Sequence, residues 1–123
     1  MREEVIRVVE AYIDAVRRNE VDGLRLHPDV LFESPLISIQ GIAAFQEALA
    51  DFFPILKSIE VVRLTADDET CAAVLKLDTI FGLLPFLEFF HVMDRQIVSI
   101  GAYYDPRPIV EGMRRSSASQ DRI

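Results

Sequence analysis

Two side chains, Tyr12 and His91, sit where the local pattern points most directly to chemistry. Tyr12 falls on the apolar stripe of an N-terminal helical pattern, so its hydroxyl should point inward. There it could donate to a ligand carbonyl or a developing enolate, or, as a core tyrosine, bond a backbone carbonyl. His91 lies in the run FLEFFHVM, where Leu87, Phe89, His91 and Met93 share one strand face. Burial on that face would disfavour the imidazolium, leaving a neutral ring with one donor and one acceptor. Such a ring could act as an acid, a base or an orienting partner, or simply be a satisfied core histidine. These two residues are the catalytic candidates.

Other polar residues read less sharply. Asp78 interrupts the largely apolar run from Ala72 to Phe81, but it shares strand parity with Lys76, which favours the outer face. Glu33 and Glu88 can be placed on either face, and if Ser34 faces inward then Glu33 faces outward. Asp105 precedes Pro106 and reads as a turn cap. His27 sits before Pro28 in a connector and should be exposed. Cys71 has no basic neighbour in sequence and starts a strand, so a buried inert thiol is expected. No His/Cys cluster has metal-ligand spacing and no glycine-rich phosphate loop occurs, so neither a metal nor a cofactor is expected.

The elements that must position these groups follow from periodicity. Val5, Val9, Tyr12 and Val16 recur at helical steps, with Ile6 and Ile13 widening the stripe, so a helix should run to about Glu20. Val21–Leu26 should add one short helical turn before His27-Pro28-Asp29 stops it. Val30–Ser34 reads as a short strand ended by Pro35. After Gly41, the apolar face of Ile42, Phe45, Leu49, Phe52, Phe53 and Leu56 predicts a second helix that Pro54 terminates or distorts. Four strands follow over Lys57–Leu64, Thr70–Ile80, Phe86–Met93 and Ile97–Asp105, with Ala66–Glu69, Gly82–Pro85 and Asp94–Gln96 as breaks. Such short breaks imply antiparallel neighbours. The order is that of a cone-shaped α+β domain: a curved antiparallel sheet wrapped around helices. One domain over residues 1–112 is expected, with a frayed tail over 113–123.

The expected lining of the cone is Phe45, Leu49, Phe52 and Phe53 from the second helix, with Phe32, Ser34, Phe89, Ile100, Ala102 and Tyr104 from strands. Such a wall suits a small apolar organic ligand with one or two polar atoms. The chain's eight Phe could instead fill the cone. FLEFFHVM is apolar on both faces apart from Glu88, and a strand of that kind must be covered twice. Helices can cover one face; a second copy of the chain is expected on the outer sheet face, with a folded-back C-terminal segment as the alternative.

Bulk properties narrow the partners. A formal charge of −7 argues against nucleic acid, which requires a basic face, and against anionic membrane surfaces. No apolar run approaches the ~20 residues of a membrane span. The opening Met1-Arg2-Glu3-Glu4 leads into a charged helix rather than a secretory signal, and the lone cysteine suits a reducing compartment, so a cytoplasmic location is expected.

Taken in order, VVEAYIDAV, PDVLFESPL, the IQG-plus-helix unit, HVMD and the closing AYYDP resemble the SnoaL-like and nuclear transport factor 2-like superfamily over residues 3–108. Its members include ketosteroid isomerases and polyketide cyclases. The resemblance implies a cystatin-like cone with a pocket, and frequent dimers. Chemistry is less constrained, because one fold hosts many functions. The isomerases use a tyrosine on helix one and a protonated aspartate on a late strand as donors, with a second aspartate on the first strand as proton shuttle. By this resemblance Tyr12 takes the tyrosine position, and His91 takes the late-strand position or lies one residue from it. Ser34 stands where the shuttle should be, and serine is no base at neutral pH without an activating partner. The Asp–Arg–Asp set of the fold's epoxide hydrolases has no clear counterpart. The resemblance thus implies a SnoaL-like binder of an apolar carbonyl or polycyclic compound, as a cofactor-independent isomerase, cyclase or hydrolase, or else a non-catalytic ligand-binding or protein-interaction module.

Overall fold

The computed structural model describes residues 1–22 and 24–121. Helix α1 (Arg2–Arg17) is followed by β1 (Leu26–Glu33), β2 (Ser38–Gln40), α2 (Ile42–Phe52), β3 (Leu56–Ala66), β4 (Thr70–Thr79), β5 (Gly82–Met93), β6 (Gln96–Tyr103) and α3 (Arg107–Asp121). The strands form one six-stranded sheet in the order β2-β1-β6-β5-β4-β3. All neighbours are antiparallel except β1 and β6. The result is the α+β cone expected from the element order. Register shifts interrupt the β1–β6, β3–β4 and β5–β6 ladders. Bulges of this kind bend strands, which is how a single sheet curls around α1 and α2.

The core lies on the concave side. From α1, Val5, Val8, Val9, Tyr12, Ile13 and Val16 pack against Cys71, Ala73, Leu75 and Leu77 of β4, Phe90 and Val92 of β5, and Ile97 and Ile100 of β6. The guanidinium of Arg17 donates to the Ile59 carbonyl at 2.9 and 3.2 Å, fixing the helix end to β3. Arg95 pairs with Glu4 across from the β5–β6 turn. In that turn Asp94 and Arg95 both have positive φ, as a tight two-residue hairpin of matching twist requires.

Four local expectations are corrected. α1 ends at Arg17, and Val21–Leu26 forms no helical turn among its described residues. The Ile97 amide bonds the Arg25 carbonyl at 2.7 Å, drawing this stretch into the sheet so that β1 begins at Leu26. A further strand, β2, pairs back on β1 after the Ser34–Ile37 turn. Gly82–Pro85 is not a break but the start of β5. The reversal sits one step earlier, where the Thr79 hydroxyl donates to the Gly82 carbonyl at 2.7 Å and accepts from the Phe81 amide. Finally, the segment expected to fray from residue 113 is helical through Asp121. Asp105 caps that helix through the Arg107 amide, and Ile109 is buried beneath it. The last two residues of the expected tail lie outside the described residues.

Candidate functional site

The cone is not filled by its aromatic side chains. A cavity of about 240 Å³ lies between the sheet and the helices. Tyr12, Ile13 and Val16 of α1 line it, as do Phe45, Ala48, Leu49, Asp51 and Phe52 of α2. The sheet supplies Phe32, Ile59, Leu75, Leu77, Phe86 and Glu88. Ser34, Leu36 and Ile37 from the β1–β2 turn, together with Ile55, Tyr104, Ile109 and Met113, complete it. Leu36, Ile37 and Met113 are exposed and so mark the mouth. Edge-on contacts of Tyr12 with Phe90 and of Phe32 with Phe45, and a stacked Phe86–Tyr104 pair, keep the aromatic wall rigid.

Glu88 is the unusual member. Its side chain is 8 % exposed, on the face it shares with Leu84, Phe86, Phe90 and Val92. Across the ladders it faces Ala73 on β4 and Ala102 on β6, two small residues that leave room for a carboxyl between them. Burial pushes this carboxyl up from the ordinary 4.5 to about 8, so at neutral pH it holds its proton. Tyr12 lies close by: burial first, and the Glu88 charge second, push its phenol well above the usual range. Among the described residues neither side chain has a hydrogen-bond partner, yet no buried side-chain polar atom is sealed off without one. Both polar ends therefore border the cavity. At neutral pH two uncharged donors face an apolar space, the arrangement that binds and polarises an acceptor oxygen.

The residues expected at the site divide. Tyr12, Phe32, Ser34, Phe45, Leu49, Phe52 and Tyr104 border the cavity. Ile100 and Ala102 are buried in the core beside it, and Phe53 is half-buried against the core away from it. His91 and Phe89 are corrections. Both point out of the cone: Phe89 is 44 % exposed, and the His91 Nε2 lies 3.8 Å from a Glu69 carboxylate oxygen on the outer face. β5 is apolar on both faces, so alternation alone could not say which face was inner. Packing Leu84, Phe90 and Val92 against α1 turns Glu88 inward and His91 outward. Glu88 was thus the missed residue, and its signal was an isolated acid in an apolar strand.

The remaining polar residues have local roles. The Ser34 hydroxyl accepts from the Leu36 and Ile37 amides at 3.2 Å each, so it shapes the turn at the mouth. Glu33 is exposed, and Asp78 alternates with inward Leu77. His27 Nδ1 accepts from the Asp29 amide at 3.0 Å. The Cys71 thiol is fully buried and is pushed up to about 11, chiefly by desolvation. Among the described residues no group of three His, Cys, Asp or Glu side chains could hold a metal, and no helix is long and apolar enough to cross a membrane.

A family model describing a SnoaL-like domain matches residues 9–100. The chain belongs to the SnoaL-like family. Solved structures agree on the nuclear transport factor 2-like fold. An epoxide hydrolase from M. tuberculosis, described as LEH-like, superposes with a TM-score of 0.76 at 21 % identity, covering 97 % of this chain and 96 % of that one. A steroid Δ-isomerase from Pseudomonas aeruginosa gives 0.75 at 19 % identity, over 98 % and 96 %. A de novo designed protein with a curved β-sheet gives 0.80 at 18 % identity, over 94 % and 98 %. Likeness at this level is likeness of fold, and the designed protein makes that plain. No curated protein matches the chain.

Proposed function

We propose that this SnoaL-like protein binds a small apolar organic compound, a carbonyl or polycyclic molecule, with its acceptor oxygen held by the Glu88 carboxylic acid and the Tyr12 hydroxyl. The observation that carries the reading is Glu88: a buried, protonated carboxyl without a protein partner, opening onto an apolar cavity. A steroid isomerase and an epoxide hydrolase share the fold, and a steroid is a polycyclic compound, which supports the ligand class. The chemistry we propose is cofactor-independent acid–base catalysis of an isomerisation, cyclisation or hydrolysis. Glu88, rather than His91, gives its proton to the ligand oxygen as charge develops there, and Tyr12 stabilises the same oxygen.

A second reading, a non-catalytic ligand-binding module, has one observation in its favour. Glu88 is the only carboxyl buried in the cavity wall among the described residues; Asp51 stands exposed at the mouth and Ser34 is engaged in its turn. Thermal-shift screening against ketosteroids, polyketide-like aromatics and terpenoid epoxides tests both readings, since a specific ligand raises the melting temperature. At least one class should stabilise the wild type and lose that effect in Glu88→Leu. No shift from any compound would refute the binding reading, and a bound compound recovered unchanged would favour the carrier.

We propose also that the chain dimerises through the outer sheet face. Val74, Leu87, Phe89, Met93 and Tyr103 are exposed there, an apolar surface of the kind that associates. The described part of α3 packs at the cavity mouth and against Phe81 instead, so it does not provide the cover.

A further inference from the structure

Among the described residues, the side chains that border the cavity and can carry charge are all acids: Tyr12 from α1, Asp51 from α2, Glu88 from β5 and Tyr104 beyond β6. Among the described residues no lysine, arginine or histidine borders it, and β3, β4 and α3 contribute only apolar side chains to the wall. Glu88 is left between Ala73 and Ala102 with no basic group and no hydrogen-bond partner among the described residues. Aromatic faces surround the same space, and such faces attract organic cations once water is excluded. The chain's net charge of −7 and Asp51 at the mouth add a field that draws cations and repels anions.

We propose that the cavity also takes lipophilic amines, with the ammonium group seated on the Glu88 carboxylate against the aromatic wall. The inference rests on the reading of this cavity as a ligand site and names a second ligand class for it. Proton balance sets its signature. A carbonyl compound needs Glu88 protonated, as the donor. An ammonium ion needs it ionised, so binding below the pKa of about 8 expels one proton to solvent: the carboxylic acid and the free cation become a carboxylate–cation pair plus a released proton. Tyr12, which burial holds well above its usual range, does not titrate in the range that matters. The two ligand classes therefore respond to pH with opposite sign.

The test is isothermal titration calorimetry on the full chain with a matched pair: an aralkyl trimethylammonium salt and the ketone of the same skeleton. Each is titrated from pH 6 to pH 9 in buffers of differing ionisation enthalpy. Ammonium affinity should rise about 50-fold between pH 6 and pH 8, following the ionised fraction of a group with pKa near 8, and then level off. Close to one proton should be released per ligand at pH 6.5 and few at pH 9. The ketone should weaken above pH 8 and release none. Glu88→Gln should flatten the ammonium slope and weaken that ligand far more than the ketone; the wild-type pH slopes stand even if this variant folds poorly. A ketone that binds beside an ammonium salt that does not, or that binds without pH dependence, overturns the amine inference and leaves the carbonyl reading intact. Failure of both ligands overturns both.

Discussion

Replacing Glu88 by glutamine should change how stability depends on pH, and by an amount the structure sets. The carboxyl titrates near 8 in the folded chain against an ordinary 4.5 in the unfolded one. Because the folded value is raised, the contribution is fully present below pH 4.5, is lost as pH rises toward 8, and is constant beyond. The unfolded chain releases its proton first, so every pH unit in that window favours unfolding by about 1.4 kcal/mol. Between pH 5 and pH 8 the loss comes to about 3.5 kcal/mol, a large share of the ~5–15 kcal/mol typical of a domain. Urea denaturation of wild type and Glu88→Gln at half-unit steps measures it. The other acids titrate in both proteins and cancel in the difference, and Tyr12, held above its usual range, does not titrate in this window. The difference curve should be nearly flat below pH 4.5, tilt toward the variant by about 4 kcal/mol by pH 8, and flatten again. Parallel curves across this window would refute a buried, protonated Glu88, and with it the donor role proposed for the cavity.

Gly112 on α3 packs so closely on the hairpin that an added Cβ would lie 2.2 Å from a ring carbon of Phe81. Gly112→Ala gains about 1 kcal/mol of helix propensity, but the overpacking costs about 1–3 kcal/mol, so calorimetry should show a lower melting temperature; an unchanged or higher one would mean that α3 is not seated on Phe81. On the outer face, Phe89→Asp should convert a dimer into a monomer in sedimentation at micromolar concentration, and a monomeric wild type would refute the proposed interface. His91→Ala should leave ligand-induced thermal shifts within experimental error, because the ring points out of the cone. A lost shift would return His91 to the site.

The fold was readable wherever burial is one-sided. Helix α1 has polar residues on one face and Val5, Val9, Tyr12 and Val16 on the other, so its orientation and the inward position of Tyr12 followed from spacing alone. The same holds for Phe45 and Leu49 on α2 and for the alternation of β4. Legibility failed where alternation carried no information, on β5. Both its faces are apolar, and only three-dimensional packing against α1 decides between them. It failed again at Leu26, where a strand is made by pairing with Ile97, a partner distant in sequence. α3 was missed because its segment offers few apolar residues, and the ones that matter, Ile109 and Met113, gain their meaning only from the cavity they border.

That failure on β5 bears on function. A chain shaped only for folding would place an apolar residue at position 88, since a lone carboxyl there costs several kcal/mol at neutral pH and no partner among the described residues offsets it. The fold does not require such a residue: curved sheets of this kind are specified by pattern, bulges and turns, and a designed protein reaches the same architecture at 18 % identity. Local rules broken at a cost mark places where something other than stability is served. Here the break lies at a cavity wall, with room left by Ala73 and Ala102 and, nearby, the Tyr12 hydroxyl, which like Glu88 has no hydrogen-bond partner among the described residues. Ser34 is consumed by the mouth turn, which removes the shuttle known from the isomerases of this superfamily. In the proposed chemistry proton transfer therefore falls to Glu88, whose pKa of about 8 lets it give up a proton and recover it near neutrality.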